Sequence, residues 1–268
     1  MKFVVMGVGY TGQRVLSSLP ADRALAIGRS ILDLDAPPPA TFRLPEPCAV
    51  LYTVPPRSDT HEDGRLQTFL SLPGAVPKRF VYLSTTGVYG HRDGASAVES
   101  DAPDPATDRA RRRLAAETLL RRWCDERGVA LIILRVPGIY GPGRLGVERI
   151  RAGLPVIREA DANPGNRIHV DDLAACCVKA LTEGIPPGIY NVGDGDHRSS
   201  TWFTKTVARL AQLDQPPEIS RAEAEKTFSP ARLSFLSESR KVDTAKMREV
   251  MGFTPRYTDP EDGIRASL

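Results

Sequence analysis

The sequence predicts an α/β protein with a doubly wound parallel sheet, covered by helices on both faces and followed by a smaller C-terminal lobe. Short, nearly continuously apolar runs alternate with amphipathic segments, as is typical of parallel strands buried on both faces. A glycine-rich turn directly follows the first apolar run. From about residue 199 the pattern changes to helical segments joined by loops, which indicates the lobe.

The predicted strands follow the apolar runs in order, and they are KFVVMGV, ALAIGRS, CAVLYTV, RFVYLSTT, ALIILRV and GIYNVGD. Amphipathic patterns predict helices at TGQRVLSSL, over 108–127 and at DDLAACCVKALTEG, with Asp171 as the expected N-cap of the last. Segment 36–47 holds five prolines. Because proline lacks the helix donor and clashes with the preceding turn, we expect an extended loop there instead of a crossover helix.

Composition limits the classes of function. The chain has 268 residues, a formal net charge of +3 and 6% aromatic residues, which argues against nucleic acid as a partner. The four cysteines form no Cys-x-x-Cys pair and lie in apolar runs, so we expect buried, reduced thiols. Neither a signal peptide nor an apolar run of membrane-spanning length is evident, and no His, Cys or Asp cluster has metal-ligand spacing. These features predict a cytoplasmic protein without a metal site.

The glycine-rich turn predicts a dinucleotide site. GVGYTG places Gly7, Gly9 and Gly12 in a Gly-x-Gly-x-x-Gly pattern between the first strand and the first helix. The first glycine permits a tight turn, the second lets the backbone approach a pyrophosphate, and the third allows close helix–strand packing. This pattern in this position predicts a Rossmann-type sheet that binds NAD or NADP.

The residue after the second strand bears on the choice of dinucleotide. Rossmann sites for NAD usually place Asp or Glu there, on the ribose hydroxyls, whereas this chain has Arg29. A guanidinium can pair with a 2′-phosphate through two hydrogen bonds. Arg29 therefore favours NADP(H), with NAD as the alternative if this arginine is merely solvated.

Several longer motifs point to one family. They occur in order along nearly the whole chain and are GVGYTG, FVYLSTTGVYG, LRVPGIYGPGR, RIHVDDLA, YNVGDG and KVDTAKMREVMGFTP. With these motifs the sequence resembles the extended short-chain dehydrogenases/reductases of the NAD(P)-dependent epimerase/dehydratase superfamily. The resemblance implies a Rossmann domain over 1–140 and about 166–195. It also implies a substrate-binding lobe over about 141–165 and 196–268.

The resemblance further implies a cofactor site along the carboxyl edge of the sheet. The glycine loop would hold the pyrophosphate, the segment after CAVLY would run beside the riboses, and the backbone after ALIILRV would lie beside the nicotinamide amide. The matching residues, with Ser84 among them, are Gly7, Gly9, Tyr10, Thr11, Gly12, Thr53, Val54, Pro55, Pro137 and Gly138. Thr85 matches the family's catalytic Ser/Thr, Thr86 follows it on the substrate side, and Arg144 matches the entrance to the substrate lobe.

The family's catalytic Tyr-x-x-x-Lys pair is missing at the expected place. In the family this pair precedes a Leu/Val-Ala-x-Glu segment, which here is LAAE at 114–117. The aligned positions hold Arg109 and Arg113. Arginine can replace lysine as a charge anchor for a ribose, but its pKa above about 12 prevents it from acting as the acid/base that tyrosine supplies. The sequence is thus similar to atypical members of the superfamily.

Helical geometry predicts which of the neighbouring arginines face the protein. At about 100° per residue, Arg109 and Arg113 fall on the same stripe as Ala116 and Leu120, whereas Arg111 points away from it. Two guanidinium groups in the cleft suit a phosphate or carboxylate. We therefore assign Arg113 to the cofactor ribose and Arg109 to a substrate anion, both within the catalytic site.

A retained hydride transfer would need another proton carrier, such as Tyr89, Tyr140, His169 or a bound water, although packing is the simpler explanation of the two tyrosines. His61 lies in a polar loop, where a solvated side chain is expected.

Two functions are compatible with this pattern. The first is an NADP(H)-dependent oxidoreductase or epimerase that acts on a sugar-nucleotide-like or other anionic small molecule. The second is a nonenzymatic NADP(H) sensor or scaffold. A homodimer is compatible with either function.

Overall fold

The computed structural model describes residues 1–39, 41–60, 62–73, 76–182, 184–236 and 238–268. Its centre is a six-stranded, entirely parallel sheet in the order β2-β1-β3-β4-β6-β10. The strands of this sheet are β1 (Lys2–Met6), β2 (Ala24–Ile27), β3 (Cys48–Tyr52), β4 (Arg79–Thr85), β6 (Ala130–Val136) and β10 (Gly188–Asn191). The predicted parallel strands and their order along the chain are confirmed.

Helices cover both faces of this sheet, as predicted. On one face α1 (Tyr10–Ser18) packs beside α5 (Val170–Leu181), and on the other lie α2 (Gly64–Leu70) and α3 (Asp108–Asp125). Each face has its own apolar core, since alternate side chains of the same strands point to opposite sides. Helix α2 was not anticipated from the sequence pattern.

The proline-rich segment forms no helix in its described residues, as expected. It instead covers the sheet with its own apolar side chains. Phe42 and Leu44 pack against the core that contains side chains of β1 and β3, and Leu32 and Leu34, just before the segment, are buried in the same core. The usual Rossmann order is 3-2-1-4-5-6, so the position of β2 at the sheet edge means that one strand–helix unit is replaced by this segment.

The predicted N-cap of α5 is wrong. The cap is His169, whose Nδ1 accepts a hydrogen bond from the amide of Asp171 at 3.2 Å. Asp171 lies in the first turn and pairs with Arg14 of α1 at 3.2 Å. Asp172 turns inward and accepts from the amides of Arg256 and Tyr257, at 2.8 and 3.0 Å. The Asp-Asp pair therefore joins α5 to α1 and to the C-terminal segment.

The C-terminal part is mainly helical, as the sequence pattern indicates. Its helices are α6 (Ser200–Leu210), α7 (Arg221–Thr227), α8 (Pro230–Leu236), α9 (Ala245–Glu249) and α10 (Pro260–Arg265), and α4 (Val147–Arg151) precedes them. Three two-stranded parallel pairs lie outside the central sheet. They are β5 (Ser96–Ala97) with β12 (Lys241–Val242), β7 (Gly138–Tyr140) with β9 (Arg167–His169), and β8 (Val156–Ile157) with β11 (Glu218–Ile219). The predicted domain boundaries stay a prediction.

All four cysteines are buried and free of disulfides. Burial raises the pKa of the Cys124 thiol to about 12, so this side chain is a protonated, apolar core group at neutral pH. In the residues that the structure describes, no helix is both long and apolar enough to cross a membrane. The same residues contain no group of three or more His, Cys, Asp or Glu side chains that could hold a metal ion.

A buried ion pair joins α3 to the sheet. Arg135 of β6 donates to both carboxylate oxygens of Glu117 on α3, at 3.2 and 2.7 Å, and both side chains are at most 2% exposed. The Ser84 hydroxyl on β4 donates to the same carboxylate. Two charges can stay this deep only because each neutralises the other through good hydrogen-bond geometry.

We expect Glu117→Ala to lower the free energy of unfolding by about 3–5 kcal/mol, because Arg135 would keep an uncompensated buried charge. Replacing both partners by apolar residues, as in E117L/R135M, should cost less than the single change, since no buried charge remains. Urea unfolding measures both effects. Glu126→Ala, which removes an exposed carboxylate next to the same helix, should change stability little. Equal losses in the single and double variants would contradict the role of the pair.

Candidate cofactor and substrate cavities

Two adjoining cavities open along the carboxyl edge of the sheet. The first, of about 590 Å³, lies over the ends of β1, β2 and β3 and is called here the loop cavity. The second, of about 890 Å³, lies between the end of β4 and the C-terminal helices and is called here the lobe cavity. The residues that line both cavities are Pro55, Ser84, Arg113, Val136, Ile139 and Arg144. A ligand that filled both cavities would therefore lie next to Arg113 and Arg144.

Two glycines of the loop are required by the protein itself. Gly7 has φ +99°, and a Cβ there would lie 2.5 Å from the Thr53 hydroxyl oxygen. That hydroxyl donates to the Gly7 carbonyl at 2.8 Å, which fixes the loop against the end of β3. A Cβ on Gly12 would lie 2.0 Å from the same carbonyl oxygen. These contacts explain why only glycine fits at both positions.

Gly9 differs, because no atom of the protein lies within 4 Å of where its Cβ would be. It is the N-cap of α1, and no side chain caps the helix there. The empty space faces the loop cavity, which Gly9, Tyr10 and Thr11 line. A bare helix N-terminus with free amides and a positive dipole end suits an anion such as a pyrophosphate. The residues present thus fit the phosphate part of a dinucleotide.

The far end of the loop cavity holds a cluster of charges that sequence analysis recognised only in part. Arg29 is there, but its guanidinium is paired with Asp33 at 3.3 Å and with Asp35 at 3.0 Å. Arg65 of α2 forms a two-point fork with Asp35, at 2.8 and 2.7 Å. These hydrogen bonds from Arg65 hold the pKa of Asp35 below its ordinary value, so Asp35 is a carboxylate at neutral pH. The second strand is therefore followed by carboxylates as well as an arginine.

Thr85 and Thr86 lie at the end of β4 and line the lobe cavity. The Thr85 hydroxyl accepts from the amide of Gly87 at 3.1 Å, which starts a 3₁₀ turn over Thr86–Tyr89. Its own hydrogen stays available to a ligand in the cavity. Ser84 lies one residue earlier, where the two cavities meet, and its hydroxyl is held by the buried Glu117. The end of β4 thus offers one oriented hydroxyl donor.

Helix α3 presents the arginines as its period predicts, since Arg109 and Arg113 line the lobe cavity and Arg111 is exposed. Arg113 donates to the Tyr82 hydroxyl at 3.1 Å and to the Leu83 carbonyl at 3.0 Å. Among the described residues no carboxylate lies within 4 Å of its guanidinium. Arg112 also reaches the cavity, and it donates to the Thr60 carbonyl at 3.2 Å.

Arg109 contacts the opposite wall of the lobe cavity. Its guanidinium stacks 3.9 Å from the centre of the Phe235 ring and lies 3.6 Å from a Glu238 carboxylate oxygen. Burial lowers the pKa of Arg109, although Glu238 opposes that shift, and the group stays protonated at neutral pH. Glu238 is itself paired with the buried Arg240. Its carboxylate and the Thr85 hydroxyl both lie within 3.5 Å of the point where a Cβ on Gly87 would be.

The charge of the lobe cavity is strongly positive. Among the described residues that line it, Glu238 is the only carboxylate. The arginines that line it are Arg109, Arg112, Arg113, Arg144, Arg167, Arg221 and Arg240. Arg167 is neutralised by Asp196 at 2.7 Å, whereas Arg144 stacks 4.0 Å from the centre of the Tyr10 ring without a carboxylate partner among the described residues. Glu238, Arg167, Arg221 and Arg240 were not anticipated, because they come from distant segments without a local pattern.

The polar atoms of the three side chains considered as proton carriers lie against other parts of the protein. Tyr89 is buried and its hydroxyl donates to Asn191 at 2.7 Å. The hydroxyl of Tyr140 lies against Gly263 of α10, where an added Cβ would be 2.2 Å away. His169 caps α5 and its Nε2 lies 3.0 Å from the Ser267 hydroxyl. His61 lies outside the described residues.

The remaining candidates also lie at the cavities. Val54 lines the loop cavity beside Thr53, whereas Pro137 and Gly138 line the lobe cavity and not the loop cavity. Their neighbours Val136 and Ile139 line both. The structure therefore brings the candidate residues together along one continuous cleft.

The fold agrees with comparisons to known proteins. The sequence profile of the NAD dependent epimerase/dehydratase family matches residues 72–193. A dTDP-glucose 4,6-dehydratase from Neisseria meningitidis is 25% identical over 205 residues, which are 71% of this chain and 57% of that protein. The matched part spans only about half to three fifths of the first curated relatives, at 51% and 57% of their lengths.

Solved structures show the same fold along the whole chain. A functionally unknown conserved protein from Silicibacter pomeroyi superimposes with a TM-score of 0.81 at 26% identity, over 99% of this chain and 97% of that chain. RMD from Pseudomonas aeruginosa, solved in complex with NADPH, superimposes with a TM-score of 0.76 at 19% identity, over 100% and 97% of the two chains. The chain thus has the Rossmann-type α/β fold of these proteins, with a parallel central sheet of six strands. The part of the chain that matches the NAD dependent epimerase/dehydratase family, residues 72–193, includes β4, α3, β6 and α5.

We expect Gly12→Ala to destabilise the protein and Gly9→Ser to leave its stability nearly unchanged. The first should cost about 1–3 kcal/mol of unfolding free energy, because the new methyl group would meet the Gly7 carbonyl. The second should leave stability nearly unchanged, because serine is a good N-cap and its side chain meets no protein atom. Thermal unfolding of the two variants tests this difference. A large loss for Gly9→Ser would mean that the space beside Gly9 does not face the cavity.

Proposed function

We propose that this protein binds NADP(H), with NAD(H) as the alternative, and acts as an oxidoreductase or epimerase on an anionic small molecule such as a sugar nucleotide. The observation that carries the proposal is the continuity of the two cavities: a glycine loop suited to a pyrophosphate opens directly into a cavity rich in arginine. The NADPH in the RMD structure and the sugar nucleotide in the name of the dehydratase relative support it.

The cofactor would lie along the loop cavity. The amides beside Gly9 would receive the pyrophosphate, and Thr53, Val54 and Pro55 would run beside the riboses. Arg113 would anchor the ribose next to the nicotinamide, because it lines both cavities and is fixed by Tyr82 and Leu83. When bound, the nicotinamide would supply hydride acceptor or donor chemistry.

The substrate would occupy the lobe cavity with its anionic group toward the arginines. Arg109 and Arg144 line that cavity, and a guanidinium fork binds phosphate or carboxylate through two hydrogen bonds. Thr86 lies beside Thr85 on the wall of the same cavity. This arrangement favours substrates that carry a phosphate or carboxylate over neutral ones.

The residues at the end of β4 would orient the reacting oxygen. The Thr85 hydroxyl would donate to a carbonyl or alcohol oxygen, since one of its lone pairs accepts from the Gly87 amide and its hydrogen is left for a ligand. The aligned arginines would stabilise negative charge on that oxygen but would not move protons at neutral pH. Among the proton carriers considered from the sequence, a bound water would serve, because the polar atoms of the two tyrosines and of His169 lie against other parts of the protein.

A nonenzymatic sensor or scaffold is the second candidate. It is favoured by one observation: arginine stands at both positions where the family's tyrosine and lysine are expected. Such a protein would bind NADP(H) at micromolar concentration without turnover and would change conformation with the redox state of the ligand. Hydrogen exchange with NADPH and with NADP separates the two candidates when combined with the activity assays below.

We expect the protein to bind NADPH in calorimetric titrations, and Arg113→Met to weaken that binding about tenfold through the loss of a charge-assisted anchor. Arg111→Met removes the same charge from the exposed face of α3 and serves as the matched control, with unchanged affinity expected. If NADPH, NADP, NADH and NAD all fail to bind, both candidate functions are wrong.

We expect a screen of sugar nucleotides and other anionic carbonyl compounds to reveal turnover that depends on the Thr85 hydroxyl. Thr85→Val keeps the shape and removes the donor, so kcat should fall at least about 100-fold. The control is Thr118→Val on the exposed face of α3, which should leave kcat unchanged. If the protein binds dinucleotides but turns over no substrate in the screen, the enzymatic function is wrong and the sensor or scaffold remains.

A further inference from the structure

The charges at the far end of the loop cavity converge on one carboxylate. Asp35 accepts two hydrogen bonds from Arg65 and one from Arg29, and Arg57 lies 3.6 Å away. The Asp35 side chain is only 13% exposed, whereas Arg29 is 71% exposed. The Asp33 carboxylate accepts a hydrogen bond from the backbone amide of Asp35 at 3.0 Å, which holds Asp35 in place. Asp35 is thus an acceptor enclosed by guanidinium groups.

Arg65 is oriented before any ligand arrives. Its Nη1 donates to the Pro55 carbonyl at 3.1 Å, so the backbone beside β3 fixes the plane of the guanidinium. The two nitrogens that remain, Nε and Nη2, form the fork that Asp35 occupies. This fork fits a phosphate in the same way as a carboxylate, because both present paired oxygens. Arg65, Arg29 and Asp35 all line the cavity, so a ligand there would meet this fork.

Asp35 affects the binding of NADP(H) and of NAD(H) unequally. The two arginines that line the cavity here, Arg29 and Arg65, are balanced by Asp33 and Asp35, so a 2′-phosphate would meet little net positive charge. It could bind the fork only after the Asp35 carboxylate is displaced. A ribose that carries a hydroxyl at this position brings no charge and needs no such displacement. The carboxylate therefore disfavours NADP(H) selectively.

We propose that Asp35 is a built-in competitor for the 2′-phosphate of NADP(H), and that Arg65, together with Arg29, forms the phosphate-binding pair that it occupies. This inference rests on the proposed dinucleotide site. It assigns the discrimination between NADP and NAD to residues that come from two separate segments of the chain. Asp35 then limits the preference for NADP(H) that the arginines alone would give.

The test compares NADPH and NADH binding, by fluorescence titration, in the full-length protein and its variants. Asp35→Asn should tighten NADPH binding about tenfold and change NADH binding less than about twofold. Arg65→Met should weaken NADPH binding and, in the double variant, abolish the gain from D35N. The same titrations with adenosine 2′,5′-bisphosphate and with 5′-AMP repeat the comparison for ligands that lack the nicotinamide half.

Asp59→Asn is the matched control, since Asp59 pairs with Arg57 and does not line the cavity. It removes the same charge from the neighbourhood, so an equal gain in D59N and D35N would mean a general electrostatic effect and would overturn the proposal. If D35N does not fold, Asp33→Asn provides the second variant, with a smaller gain for NADPH expected because only Arg29 is released.

The outcomes separate this inference from the proposed function. If the wild type and all variants fail to bind any dinucleotide, the proposed function is wrong. If the wild type binds NADPH but D35N binds it equally or more weakly, Asp35 is not a competitor and this inference alone is wrong.

Discussion

Glu117 and Arg135 form an ion pair inside the protein, and the arrangement of the cleft depends on it. The pair joins α3 to β6, and the same carboxylate holds Ser84 at the end of β4. Because α3 cannot rotate without separating these charges, its inward face is fixed. That face carries Arg113, which therefore points to the junction of the two cavities. A feature of the core thus determines which charges a ligand would meet.

The arginines of the cleft differ in whether an internal carboxylate already neutralises their charge. Arg167 is neutralised by an internal carboxylate, and Arg109 shares Glu238 with the buried Arg240. Arg113 and Arg144 lack a carboxylate partner within the described part of the chain. An anionic ligand gains most from cations whose charge is not yet compensated. Arg112 and Arg221 donate to backbone carbonyls and also have no carboxylate partner in the described residues. These four arginines therefore dominate the attraction.

The sequence alone was sufficient for features that depend on local pattern. The parallel strands, the glycine loop and the inward direction of Arg109 and Arg113 each follow from a period or motif within a few residues. Contacts between distant segments could not be predicted, because nothing local indicates them. Asp35 meets Arg65 across 30 residues, and the proline-rich stretch between them has no periodicity. The N-cap of α5 was missed for a different reason, since His169 caps less commonly than aspartate.

The wall that both cavities share has a thermodynamic consequence. Because Arg113 and Arg144 line both, the occupant of one cavity alters the electrostatic environment of the other. Two ligands held at once by the same residues cannot bind independently, and their coupling free energy must be reciprocal. Whatever factor the first ligand applies to the affinity of the second, the second applies equally to the first. The order of binding is then set by concentrations and rates, and the cleft behaves as a single thermodynamic unit.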